Sequence, residues 1–233
     1  MSKAIVNVVT GNNAHYLKGQ IRLRYSMDKH APDAAFVFWQ SLPATSPSHQ
    51  EMPYAFKAHA LEHAKMLGHT QLLWADASIV AIAPLDRIWE YAQKHGVWFS
   101  KNGYRNSEWT AESAYPLLFP MSGPNADAWS LPTAKSVNSR IEHVVATTFA
   151  VDLTHPDGRE FLKNYGELAR NGSFRGPWTG GIGVQHRHDQ TAASVIVDGL
   201  GTPLTDPPQY FCYAGGEVEG TYLVADGGHT LAL

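Results

Sequence analysis

The chain is poor in charge. Of its 233 residues, 17% are Asp, Glu, Lys or Arg, below the roughly 25% of ordinary soluble domains, which excludes a solvated, disordered chain. It has one cysteine, Cys212, so an internal disulfide is excluded, as fits a reducing compartment. No apolar run approaches the ~20 residues of a membrane span. Met1-Ser2-Lys3 leads straight into a strand-like run, with no signal-peptide pattern, so a cytoplasmic protein is expected. No period of roughly 20–50 residues is visible, which excludes repeat architectures. The phosphate-cradling patterns G-x-G-x-x-G and G-x-x-x-x-G-K-[ST] are missing, as is the G-x-S-x-G elbow. Basic residues are not in excess. Lys+Arg number 18 against 21 Asp+Glu, a formal charge of −3, which disfavours a generally basic nucleic-acid binder. What is plentiful is core and chemistry: 44% hydrophobic residues, twelve histidines and seven tryptophans.

Strand-like and helix-like segments alternate through the first half. Ala4–Val9 reads as a buried strand ending at Thr10-Gly11-Asn12-Asn13. Residues 14–30 read as a helix with Leu17, Ile21 and Tyr25 spaced four apart. Ala34–Trp39 is a second buried strand, and Pro53 opens a helix with Phe56, Ala60, Leu61, Ala64 and Leu67 inward. Leu72–Ala75 is a third strand, Pro84 opens another helix, and Val97–Phe99 is a fourth strand. This rhythm predicts an α/β fold, a mainly parallel sheet flanked by helices. The rhythm then breaks. Residues 120–139 read as a long loop or flap, Val144–Val151 as a β-branched strand, 157–170 and 190–200 as helices, and 209–214 and 221–225 as strands. One domain over 1–233 is expected, with an irregular second half from residue 111.

Four stretches carry chemistry. Leu72–Ala75 runs directly into Asp76-Ala77-Ser78. The carboxyl end of such a strand is where open α/β sheets bind ligands, and a carboxylate there can hold Mn²⁺ or Mg²⁺ against a diphosphate. A turn-capping aspartate is the equal alternative. His186-Arg187-His188-Asp189 precedes a helix. Its two imidazoles suit a metal or a phosphate, and Asp189 is either a general base or the helix N-cap. Lys57, early in its helix, is either a point charge for a diphosphate or a solvated lysine. Asn171–Trp178 is either a loop over a sugar or acceptor or an ordinary surface connection.

Taken in order, Pro53-Tyr54-Ala55-Phe56-Lys57, Leu73–Ser78, Gly172–Trp178 and His186–Thr191 resemble small glycosyltransferases of GT-A type from large DNA viruses, phages and bacteria. The N-terminal glycosyltransferase domain of a chlorella-virus enzyme is one of these. The resemblance runs from about residue 4 to residue 201, and the tail after 202 matches nothing. It implies a nucleotide-sugar-binding half over 1–110 and an acceptor-side half over 111–233. It also implies a UDP-linked donor, a glycan or other hydroxyl acceptor and a divalent metal, commonly Mn²⁺. The family's D-x-D metal motif falls on Asp76-Ala77-Ser78, with Ser78 in place of the second acid, and His186 or His188 as a further ligand. Thr10, Gly11 and Asn12 then face the nucleotide, and Lys57 or Arg187 neutralises the leaving group. Asp189 is the base of an inverting reaction, or an orienting group in a retaining one. The rival readings are a non-catalytic nucleotide- or sugar-binding module and a phage enzyme that glycosylates modified DNA bases. A viral enzyme would work in the host cytoplasm.

Overall fold

The computed structural model describes residues 1–11, 13–119 and 129–227. The chain opens with β1 (Lys3–Val8), α1 (Ala14–His30), β2 (Ala34–Trp39), α2 (Ala55–Met66) and β3 (Gln71–Ala75). A short strand β4 (Ile79–Ala81) and α3 (Asp86–His95) lead to β5 (Val97–Trp98) and the exposed β6 (Lys101–Arg105). Two 3-10 turns and α4 (Tyr115–Leu118) follow, then α5 (Leu131–Asn138), β7 (Glu142–Val144) and β8 (Thr148–Asp152). The chain ends through α6 (Pro156–Asn171), α7 (His188–Gly199), β9 (Tyr210–Tyr213) and β10 (Thr221–Ala225).

The central sheet has the order β2-β1-β3-β8-β5. β1 pairs in parallel with β2 and β3, while β8 runs antiparallel to both β3 and β5. β5 therefore points the same way as β3, and the sheet is mainly parallel. Every residue of β3 is buried, and the two-residue alternation sends its side chains to opposite faces. Leu72 and Trp74 join a core with Phe56 and Leu61 of α2, Phe161 of α6 and Val197 of α7. Leu73 and Ala75 join a second core with Leu23 of α1 and Ile88 and Trp89 of α3. Burying each large side chain contributes about 1.5–3 kcal/mol, so the sheet is fixed from both sides.

A smaller sheet, β4-β10-β9, closes against the second core. The tail that resembled nothing thus folds back on the strand that follows β3. No described helix is long and apolar enough to cross a membrane.

Several expectations are corrected. In α1, Ile21 and Tyr25 are 68% and 59% exposed, and the inward face carries Gln20, Arg22, Leu23, Ser26 and Met27. The polar members are buried because each has a partner: Gln20 Nε2 donates to Asn7 Oδ1, Arg22 to Asp226, and Ser26 Oγ accepts the Ala81 N–H. β2 is a half-buried edge strand. Tyr54, not Pro53, stands at the N-cap of α2, and Leu67 lies exposed beyond its end. Residues 131–138 of the expected flap form α5, capped by Ser130 Oγ on the Thr133 N–H, while 120–128 lie outside the described residues. The strand expected over Val144–Val151 is broken at 145–147. There the Val145 N–H turns to Ser100, the Ala146 carbonyl to Lys57, and the Thr147 carbonyl to Asp76.

Candidate active site

β3 delivers its chain to a turn. The Asp76 N–H donates to the Thr147 carbonyl at 2.9 Å, the Asp76 carbonyl accepts from Ile79, and Ser78 lies between. Asp76 Oδ1 accepts the Trp74 indole N–H at 2.7 Å, and its side chain keeps about a third of its surface exposed, 32%. Beside it stands Lys57, enclosed in the first turn of α2. Its ammonium donates to Asp189 Oδ2 at 2.9 Å and to the Ala146 carbonyl at 2.8 Å, and lies 3.5 Å from Asp76 Oδ1. The rings of Tyr54 and Trp74 lie 5.1 and 5.2 Å from it, within cation–π range. Tyr165 completes the cluster from α6, its hydroxyl donating to Asp189 Oδ2 at 3.3 Å. Tyr54 takes a left-handed backbone conformation, φ 60°, which costs energy for a residue other than glycine.

One ammonium faces two carboxylates, so the cluster carries a surplus negative charge. Burial, and then the charge of Asp189, holds the Asp76 carboxyl above its ordinary range, against the pull of Lys57. Burial alone would lower the Lys57 ammonium, but Asp189 and Asp76 outweigh it and the net shift is upward. Tyr54 is pushed up to about 12 by burial, assisted by Asp189. Lys57 is therefore a fixed cation. With its protons directed at Asp189, Ala146 and Asp76, it acts on the two carboxylates rather than on a diphosphate.

The structure separates the roles of the second stretch. The N-cap of α7 is Arg187, without a side-chain cap bond, and Asp189 lies in the first turn with its carboxylate on Lys57. Asp189 Oδ1 has no hydrogen-bond partner among the described residues. Both nitrogens of His186 are engaged: Nε2 donates to the Ser173 carbonyl at 2.8 Å, and Nδ1 accepts the Ala111 N–H at 3.3 Å. Burial lowers its pKa to about 4, so it is neutral and has no lone pair left for a cation. His188 donates Nδ1–H to the Phe174 carbonyl at 2.8 Å, while its Nε2 is buried without a partner. The histidine pair thus tethers the 173–178 loop, helped by the His186 N–H on the Pro177 carbonyl. Gly176 is required there, since a Cβ would fall 2.3 Å from His186 Cβ. The exposed Arg187 stacks on the Trp109 ring at 4.4 Å.

Two cavities meet at this cluster. The larger, about 550 Å³, is lined by Thr10, Tyr16, Tyr54, Asp76, Ser78 and Tyr213 among others. The smaller, about 200 Å³, is lined by residues including Lys57, Trp178, Arg187, His188, Asp189 and Gln190. Tyr54, Asp76 and Thr147 line both. Gly11 ends the β1 turn with φ 76°, and Asn12 lies outside the described residues. Among the described residues, no group of three or more His, Cys, Asp or Glu side chains is placed to hold a metal. Asp76, whose Oδ2 has no hydrogen bond among the described residues, and Ser78 both line the larger cavity. That donor set fits a hard cation that takes its remaining ligands from a substrate diphosphate, not a protein-caged ion.

Sequence reasoning missed Tyr165, the Trp74 indole and the Ala146 carbonyl. Tyr165 and Trp74 sit in ordinary core patterns, and a backbone carbonyl carries no sequence signal. Tyr54 and Trp178 lay inside stretches singled out, but without assigned roles.

No protein-family profile matches the chain, and no curated relative does. Solved structures match across its whole length. A glycosyltransferase involved in the glycosylation of the major capsid of PBCV-1 shares 13% identity at a TM-score of 0.52, covering 97% of this chain and 92% of that one. Mouse xyloside xylosyltransferase 1, apo form, shares 9% identity at a TM-score of 0.52, with both chains fully covered. The fold is thus that of the GT-A glycosyltransferases, as expected, and at these identities the fold is what is shared.

Proposed function

We propose that the chain is a glycosyltransferase that moves a sugar from a nucleotide-sugar donor, UDP-linked, to a hydroxyl acceptor. The observation that carries this reading is the meeting of a large and a small cavity at Asp76, at the carboxyl end of β3 in a GT-A fold. The donor lies in the larger cavity, with Thr10 and the β1 turn toward its nucleotide and Asp76 and Ser78 toward its diphosphate. The acceptor lies in the smaller one. A divalent cation, Mn²⁺ or Mg²⁺, held by Asp76 and Ser78 with the diphosphate, supplies positive charge to the leaving group.

Lys57 and Tyr165 occupy Asp189 Oδ2 and hold it in place. Oδ1 is left to accept the acceptor's hydroxyl proton as the new glycosidic bond forms and the bond to the diphosphate breaks. Arg187 lines the smaller cavity and not the larger one, so it stands on the acceptor's side of Asp76. This assigns inversion, while a retaining reaction would leave Asp189 as an orienting group. A second reading, a binding module without turnover, is favoured by one observation, the hydroxyl of Ser78 where the D-x-D motif carries its second acid.

Incubation with a panel of nucleotide sugars, with and without Mn²⁺, separates the two. Release of nucleoside diphosphate above the uncatalysed rate supports transfer, and the anomeric configuration of the product reports inversion or retention. Donor binding without release would leave the binding module.

A further inference from the structure

The smaller cavity combines features that the proposed reaction alone does not require. Its rim carries Trp178, 46% exposed although it packs on other rings. The indole lies 4.2 Å from the His188 ring, 5.3 Å from His49 and 5.8 Å from Tyr54, centroid to centroid. A half-exposed tryptophan on a cavity rim costs solvation unless something covers it. It is not there by loop disorder. The loop that presents it is tied down by three hydrogen bonds to the His186–His188 segment and by the close approach of Gly176. His188 also has positive φ, 48°, an uncommon conformation for histidine that is maintained under this ring.

Much of the remaining lining is polar. Gln185, Arg187, Asp189 and Gln190 face the same space. Gln190 spends its amide N–H on the Val144 carbonyl, which leaves its carbonyl oxygen as an acceptor. Asp189 Oδ1 is a second acceptor, and the Arg187 guanidinium and the Gln185 amide are donors. One exposed aromatic ring in the same cavity as donors and acceptors suits a ligand with an apolar C–H face and a rim of hydroxyls. That description fits a sugar ring. It does not fit an acyl chain, which would leave these polar groups desolvated and unpaired. Nor does it fit an extended peptide, which needs a groove or a sheet edge. The cavity volume is about 200 Å³.

We propose that the smaller cavity is a carbohydrate acceptor subsite in which one face of a pyranose ring stacks on Trp178 while its hydroxyls bond to Gln185, Arg187 and Gln190, beside Asp189. The proposal rests on the glycosyltransferase reading for the word acceptor, and its test does not. Saturation-transfer NMR with methyl β-glucoside, methyl β-galactoside and methyl β-xyloside, with and without UDP and Mn²⁺, reads binding directly. At least one glycoside is expected to bind with its saturation concentrated on one ring face. Trp178→Ala should weaken that glycoside about tenfold, the scale of one aromatic contact, and Trp178→Phe should restore most of it. Binding of no glycoside under either condition would overturn the proposal, as would equal binding by Trp178→Ala, or preference for a serine-containing peptide. Failure of the donor reading is a separate result, seen as no nucleotide sugar being bound or cleaved while glycosides still bind.

Discussion

Two buried ion groups lie on opposite sides of β3, and they are built differently. Arg22 and Asp226 form an ion pair, with side chains 9% and 3% exposed. The guanidinium donates to Asp226 Oδ2 at 2.6 Å, to the Asp226 carbonyl at 2.8 Å and to the Ser78 carbonyl at 3.3 Å. It ties α1 to the end of β10 and to the turn after β3. Lys57 is just as buried, but it faces two carboxylates, and one of them opens onto both cavities. The first group ties three segments together. The second has a surplus carboxylate and an edge open to the two cavities.

The largest effect should follow from removing the cations. Lys57→Met strands two carboxylates and should cost about 3–5 kcal/mol, the range for breaking a buried pair. Arg22→Met breaks a contact with a single carboxylate and should cost less. Denaturant unfolding measures both, and equal losses would erase the distinction. Next, Asp189→Asn should lower transfer by about 10²-fold or more, the scale of general-base catalysis, while the variant still binds donor. Because Asp189 bonds Lys57 rather than capping α7, some stability should be lost as well, about 1–3 kcal/mol. Parental turnover in that variant would end its role as base.

The pH profile comes third. Burial, chiefly, holds His186 at about 4 and His143 at about 3, against an unfolded value near 6.5. Between pH 6.5 and 4 the unfolded chain then binds more protons, so stability should fall as pH falls through that window. Asp76, with its raised pKa, works the other way, since its ionised form is the disfavoured one in the folded state. Two histidines should outweigh one carboxylate, and a melting temperature flat over this window would count against neutral His186 as the tether of the 173–178 loop. The same reasoning makes Asp76→Asn a mild stabiliser at pH 7, because it leaves Lys57 with one carboxylate. A clear drop in melting temperature would show that the surplus charge is not a burden. The smallest effect belongs to Ile21→Gln on the exposed face of α1, expected within about 0.5 kcal/mol. A core-sized loss would return that face to the interior.

Much of the frame was legible in residue patterns. The all-apolar run Leu72–Ala75 placed a buried strand, and the acid directly after it lines both cavities. Lys57, Asp76 and Asp189 were each singled out, but not their union, because they stand 19 and 113 residues apart along the chain and only the fold brings them to one ammonium. The apolar spacing of Leu17, Ile21 and Tyr25 misled, since Gln20, Arg22 and Ser26 are buried by partners on distant segments that periodicity does not see. Asp189 resembled a cap because caps are recognised by residue type and place, whereas its real partner is Lys57. The turn at 145–147 was hidden in a β-branched run, because what breaks that run is the diversion of backbone groups to Ser100, Lys57 and Asp76.

Asp76 is the one acid among the described residues that lines both cavities. Thermal unfolding with a nucleotide sugar, with and without Mn²⁺, on the parent and on Asp76→Asn tests its role most directly. The parent should be stabilised by the sugar only when Mn²⁺ is present, by about 2.7 kcal/mol at a hundred times the dissociation constant. Asp76→Asn should lose that stabilisation. No shift with any nucleotide sugar, or the same shift in both proteins, would contradict the account.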